Sequence, residues 1–106
     1  MAKNKASKIY LKLKQGHPRF FAVVDGLGQA VRKEGPLPEK TAQLIQLGAA
    51  AAIRSEGAVH SHTRRALASG ASADEVHHAL ILLTSTIGFP NVIAALSWAE
   101  DVLRKK

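Results

Sequence analysis

The stretch PLPEKTAQLIQLGAAAAIRSEG, residues 36–57, decides the fold. Pro36-Leu37-Pro38 reads as a stiff linker. Pro38 with Glu39 suits the first turn of a helix, where a missing N–H costs nothing and a carboxylate meets the positive end of the helix dipole. From position 44 to 53 only Gln46 is polar, so nearly every face of this helix is apolar. Such a helix is either central or shared between subunits. Ser55-Glu56-Gly57 then interrupts the pattern.

Working outward, the same three-and-four spacing recurs on both sides. Before the linker, Pro18 is placed for a helix start, Phe20, Phe21, Val24, Leu27 and Val31 follow, and Gly35 ends the run. After the interruption, a third helix is predicted from about Ala58 to Ser69, stopped by Gly70. Ser72 and Glu75 have capping-box spacing and open a fourth helix carrying Val76, Ala79, Leu80, Leu82, Leu83 and Ile87. Gly88-Phe89-Pro90 breaks it and starts the last, with Val92, Ile93, Leu96, Ala99, Val102 and Leu103 on the buried side and Trp98 on its flank. No segment alternates as a strand. The expectation is an all-α, single-domain antiparallel bundle of about five to six helices over residues 15–106, after a basic arm at 1–14.

Composition narrows the function classes. A chain of 106 residues fits one domain. Eighteen of its residues are alanine and five are aromatic, so one copy buries a thin core and gains by packing against others; a homo-oligomer is expected. There is no cysteine, which excludes disulfides, thiolate nucleophiles and Cys-ligated zinc. No run approaches the roughly 18–20 apolar residues of a membrane span, and Met1 to Lys8 lacks the apolar core of a secretory signal. No membrane partner and a cytoplasmic location are therefore expected. The formal charge is +7, with Lys3, Lys5, Lys8, Lys12 and Lys14 at one end and Arg104, Lys105 and Lys106 at the other. The arm has no arginine, and Tyr10 is its one aromatic residue. It reads as a solvated tail rather than a grip on nucleic acid.

The polar residues that ask for explanation are Gln43, Arg54, Ser55, Glu56, His60, His62, Arg64 and Arg65. His60 and His62 diverge by about 200° on a helix, so they cannot ligate one ion together. Pairing one of them with Glu56, His77 or His78 has no support in the spacing, and no metal and no cofactor are expected. His62 suits acid–base chemistry, because imidazole titrates near neutrality. Arg65 three residues later could hold a carboxylate, and the positive end of the third helix favours an anion near Ser55. The competing reading makes His62 a helix-packing histidine with a satisfied hydrogen bond. Adjacent His77 and His78, with Asp74 one turn earlier, read as surface pairing.

The order of these residues is familiar. Leu37-Pro38-Glu39-Lys40-Thr41, then Leu44-Ile45, then His62-Thr63-Arg64-Arg65-Ala66-Leu67-Ala68-Ser69-Gly70, Ser72-Ala73-Asp74-Glu75-Val76 and Gly88-Phe89-Pro90-Asn91 together resemble the carboxymuconolactone decarboxylase and alkylhydroperoxidase D-like family over about residues 17–103. The resemblance implies an all-helical fold assembled as a trimer or hexamer. The peroxidase branch carries Cys-x-x-Cys-x-x-x-His with a glutamate one helix earlier. Here His62 matches the motif histidine, the cysteine positions fall on Ser55 and Ala58, and the glutamate position falls on Gln43. None of those three replacements can do thiol or carboxylate work.

The decarboxylase branch does not depend on the cysteine pair. Its resemblance implies a cofactor-free enzyme acting on a small anionic lactone carboxylate. His62 would transfer the proton, Glu56 and His60 would assist, and Arg64, Arg65, Ser55 and Gln43 would bind substrate. The alternative is a catalytically silent relative that serves as an oligomeric ligand-binding scaffold.

Overall fold

The computed structural model describes residues 8–104. Lys3 and Lys5 of the basic arm, and Lys105 and Lys106, lie outside the described residues. Seven helices and no strand occur among those described: α1 (Lys8–Gly16), α2 (Pro18–Arg32), α3 (Glu39–Ala52), α4 (Glu56–Ala68), α5 (Ala73–Ile81), α6 (Thr84–Ile87) and α7 (Phe89–Leu103). They divide into two units at the Leu37–Pro38 linker, α1 and α2 in one and α3 to α7 in the other.

In the first unit, the stretch expected as a solvated arm is helical from Lys8 onward. Tyr10 meets Phe21 edge-on at 5.2 Å, and Phe20 meets Phe21 at 5.4 Å. Aromatic pairs of this geometry add stabilisation beyond the area they bury, and they give α1 a reason to pack on α2.

The second unit is built on small residues. Leu47, Ala50 and Ala51 of α3, Val59 and Ala66 of α4, Val76 and Leu80 of α5, and Ala95 and Ala99 of α7 form one buried cluster. Five of these nine are alanine, and short side chains let helix backbones approach closely. The apolar α3 is central on one side only. Leu47 and Ala51 are fully buried, whereas Ile45 and Ile53 stand exposed in the single chain.

Pairs along the helices fix their directions. Gln43 meets His62 while Ala50 meets Ser55, so α3 and α4 run antiparallel. Arg54 meets Asn91 and His60 meets Asp101, so the chain segment leading into α4 runs with α7.

The α3–α4 connection uses a Schellman turn. The N–H of Ser55 bonds Ala50 O at 3.0 Å and that of Arg54 bonds Ala51 O at 3.0 Å. Arg54 therefore sits in the left-handed region, at φ 56°, where glycine is the usual occupant. Its guanidinium is held against Asn91 and lies 5.9 Å above the Trp98 ring, contacts that a glycine could not make. The α4–α5 connection repeats the turn with the expected residue, Gly70 at φ 100°.

Two boundaries differ from the sequence reading. Helix α4 starts at Glu56, because Ser55 Oγ accepts the Ala58 N–H at 3.2 Å and caps it; the supposed interruption is a helix start. The predicted fourth helix is two. Thr84 Oγ1 donates to Ile81 O at 2.7 Å, which takes up a carbonyl the helix would use, and Thr84, Thr86 and Ile87 are β-branched. The capping box on α5 is present as read, with Glu75 N–H to Ser72 Oγ at 3.0 Å and Ser72 N–H to Glu75 Oε1 at 2.9 Å.

Candidate active site

Helix α4 carries His60 and His62 on different faces, and each meets a different helix. His62 Nδ1 lies 2.8 Å from Gln43 Oε1 on α3. Gln43 is only 1% exposed, so its amide must find partners inside the protein. Its Nε2 donates to Glu39 Oε2 at 2.7 Å, one turn earlier on the same helix face.

Hydrogen-bond polarity fixes the rest. An ionised carboxylate only accepts, so the amide nitrogen belongs at the Glu39 end and the amide oxygen at the imidazole. An amide oxygen also only accepts, so His62 Nδ1 must carry a hydrogen. In the neutral ring the basic lone pair is then on Nε2. Glu39–Gln43–His62 is thus an oriented chain from carboxylate through amide to imidazole.

Glu39 is not among the site residues expected from the sequence, where the lost carboxylate falls on Gln43. Glu39 and Gln43 are four apart and share a face of α3, and that spacing is the signal that points to it. Gln43, expected to touch substrate, has both ends of its amide engaged by Glu39 and His62. Ser55, also expected to bind substrate, uses its hydroxyl as the α4 cap.

The arginines divide in the same way. Arg65 is exposed one turn beyond His62. Arg64 is two residues from His62, so it projects to the far side. It is partly buried, and burial first, then the Arg65 charge, lowers its pKa from the ordinary arginine value.

His60 and Glu56 do not join His62. His60 Nε2 lies 3.0 Å from Asp101 Oδ2 on α7 and 3.9 Å from Glu56 Oε2 one turn back on α4. Asp101 was not singled out from the sequence, since 41 residues separate it from His60. His77 pairs across helices as well, with Glu100 at 3.3 Å.

An open groove of about 520 Å³ runs between α3 and α5, lined by Leu44, Ile45, Leu82 and Leu83 with Thr41 and His78. His62 is not among its lining residues.

This all-helical second unit, with a histidine on α4 tied back to α3, has its match among known families. The model of the carboxymuconolactone decarboxylase family matches residues 18–101. The chain belongs to that family. No curated protein and no solved structure matches it. Within the carboxymuconolactone decarboxylase family this member has no cysteine, so the thiol–disulfide cycle of a dithiol peroxidase has no atoms to run on. Among the described residues no helix is long and apolar enough to cross a membrane.

Proposed function

We propose that this protein is a cofactor-free acid–base enzyme that decarboxylates a small anionic lactone carboxylate, with His62 as the proton-transfer residue. The observation that carries the reading is the Glu39–Gln43–His62 chain. A histidine used only for packing needs one hydrogen bond; this one is bonded to a buried amide whose other end is fixed by a carboxylate. Such an arrangement selects one tautomer and one ring orientation, which is what a proton carrier needs.

Loss of CO2 breaks the bond from the carboxylate carbon and leaves its electron pair on the adjoining carbon, spread into the lactone carbonyl. His62, neutral at rest with its hydrogen on Nδ1, takes a proton from solvent on Nε2, delivers it to that carbon and returns to the neutral ring, keeping the Nδ1–H on Gln43 throughout. Arg65, one turn further along α4, holds the substrate carboxylate. Glu56, His60 and Arg64 face elsewhere and take no part in the proton step.

The exposed apolar side chains of Ile45 on α3 and Ile53 at its C-cap support assembly into a homo-oligomer, trimer or hexamer. A cytoplasmic location belongs to the same reading. The groove away from His62 favours the second reading, a catalytically silent scaffold that binds an apolar ligand between α3 and α5.

The deciding experiment follows CO2 release from a panel of small lactone carboxylates. Turnover by the native chain, reduced about 10²–10⁴-fold in His62→Ala, is expected. No release across the panel, or full turnover in a folded His62→Ala protein, would leave only the scaffold.

A further inference from the structure

We propose that Glu56, His60 and Asp101 form a zinc site on the face of α4 opposite His62, independent of the proton chain. The three side chains present one carboxylate oxygen, one imidazole nitrogen and another carboxylate oxygen, all within 4.8 Å of one another. Around a tetrahedral zinc with bonds near 2.1 Å, neighbouring donor atoms stand about 3.4 Å apart. The distances here are 3.0 Å from His60 Nε2 to Asp101 Oδ2 and 3.9 Å from His60 Nε2 to Glu56 Oε2. They lie on either side of that value, and the Glu56 and Asp101 oxygens are within 4.8 Å of each other, a span that side-chain rotation can close.

Three features make this a chelate rather than a chance meeting of charges. Glu56 and His60 are four residues apart on one helix, the spacing that lets a single helix supply two ligands. The third ligand comes from α7, so binding ties two helices together. Arg104 Nη2 lies 3.7 Å from Asp101 Oδ1, the oxygen turned away from His60, and its charge holds that carboxylate in place, as partners behind a ligand do in known sites.

The donor set points to a first-row divalent ion, for which zinc is the probe. One imidazole and two carboxylates suit zinc; magnesium and calcium take oxygen ligands and gain nothing from the ring nitrogen. The Glu56 side chain is 57% exposed and that of Asp101 is 42% exposed, so the ion has an entry path and water completes its coordination.

The test is a zinc titration of the full-length protein by calorimetry, with magnesium as control. One saturable equivalent per chain is expected, weakened about tenfold or more by Glu56→Gln and by Asp101→Asn. Glu56 is exposed, so its variant reports on the ligand set without endangering the fold. In nuclear magnetic resonance the His60 ring nitrogens should shift on zinc addition while those of His62 stay put. Absence of saturable binding, or binding unchanged in both variants, would overturn the site. So would a shift at His62 or His77 in place of His60.

Discussion

Two faces of one helix handle the same side chain in opposite ways. On one face of α4, His62 is bonded to a buried neutral amide, Gln43, whose other end bonds the Glu39 carboxylate. On the other, His60 stands directly against Asp101 with Glu56 one turn away, in a half-exposed cluster. The amide partner fixes a tautomer and carries no full charge of its own. The carboxylates supply charge and open coordination instead. In the roles proposed above, two residues of spacing separate the proton carrier from the metal ligand, with α3 facing one ring and α7 the other.

The sharpest way to break the contrast is to remove each ring in turn. His62→Ala should lower turnover about 10²–10⁴-fold, whereas His60→Gln should leave it within about twofold and abolish zinc binding, read by parallel assays of CO2 release and calorimetry. Equal losses of turnover would merge the two faces into one site.

The next effect is on stability. Gln43→Ala strips the partner from His62 in a place where Gln43 is 1% exposed, and should cost about 1–3 kcal/mol in urea unfolding. Asp101→Asn removes a carboxylate that is 42% exposed, where solvent screening keeps the loss below about 1 kcal/mol. A larger cost at Asp101 than at Gln43 would reverse the assignment of buried and solvated faces.

The smallest effect is a pH reference remote from both rings. The Ser72 backbone N–H first, then the Lys40 ammonium, hold the Glu75 carboxyl below its ordinary 4.5. A depressed carboxylate contributes stability above its unfolded pKa and loses it as pH falls through the folded one. The start of α5 should therefore loosen only below about pH 4.5, seen as faster amide exchange at residues 73–75. Loosening near pH 6–7 would mean that a histidine governs this end.

Much of the fold was legible because it is written in local pattern. The Ser72–Glu75 capping box, the Gly70 stop and the Pro38-Glu39 start each depend on residues a few positions apart. The split of the fourth helix was less visible, since Thr84 acts through a hydroxyl competing for one carbonyl against an otherwise helical apolar spacing. Arg54 hid a turn because it takes a conformation that favours glycine, held by Asn91 and Trp98 from α7. In the site, His62 could be read from its motif position and Gln43 from the helix before it. Glu39 required seeing that a glutamine can pass on the orienting influence of a carboxylate. Asp101 could not be read at all: its meeting with His60 depends on α4 and α7 lying side by side, which no local spacing records.

Long-range proton–nitrogen correlation of the His62 ring at neutral pH tests its tautomer without a known substrate. Hydrogen on Nδ1 and an unprotonated Nε2 are expected in the neutral ring, with the pattern lost in Gln43→Ala. A neutral ring carrying its hydrogen on Nε2 would contradict it.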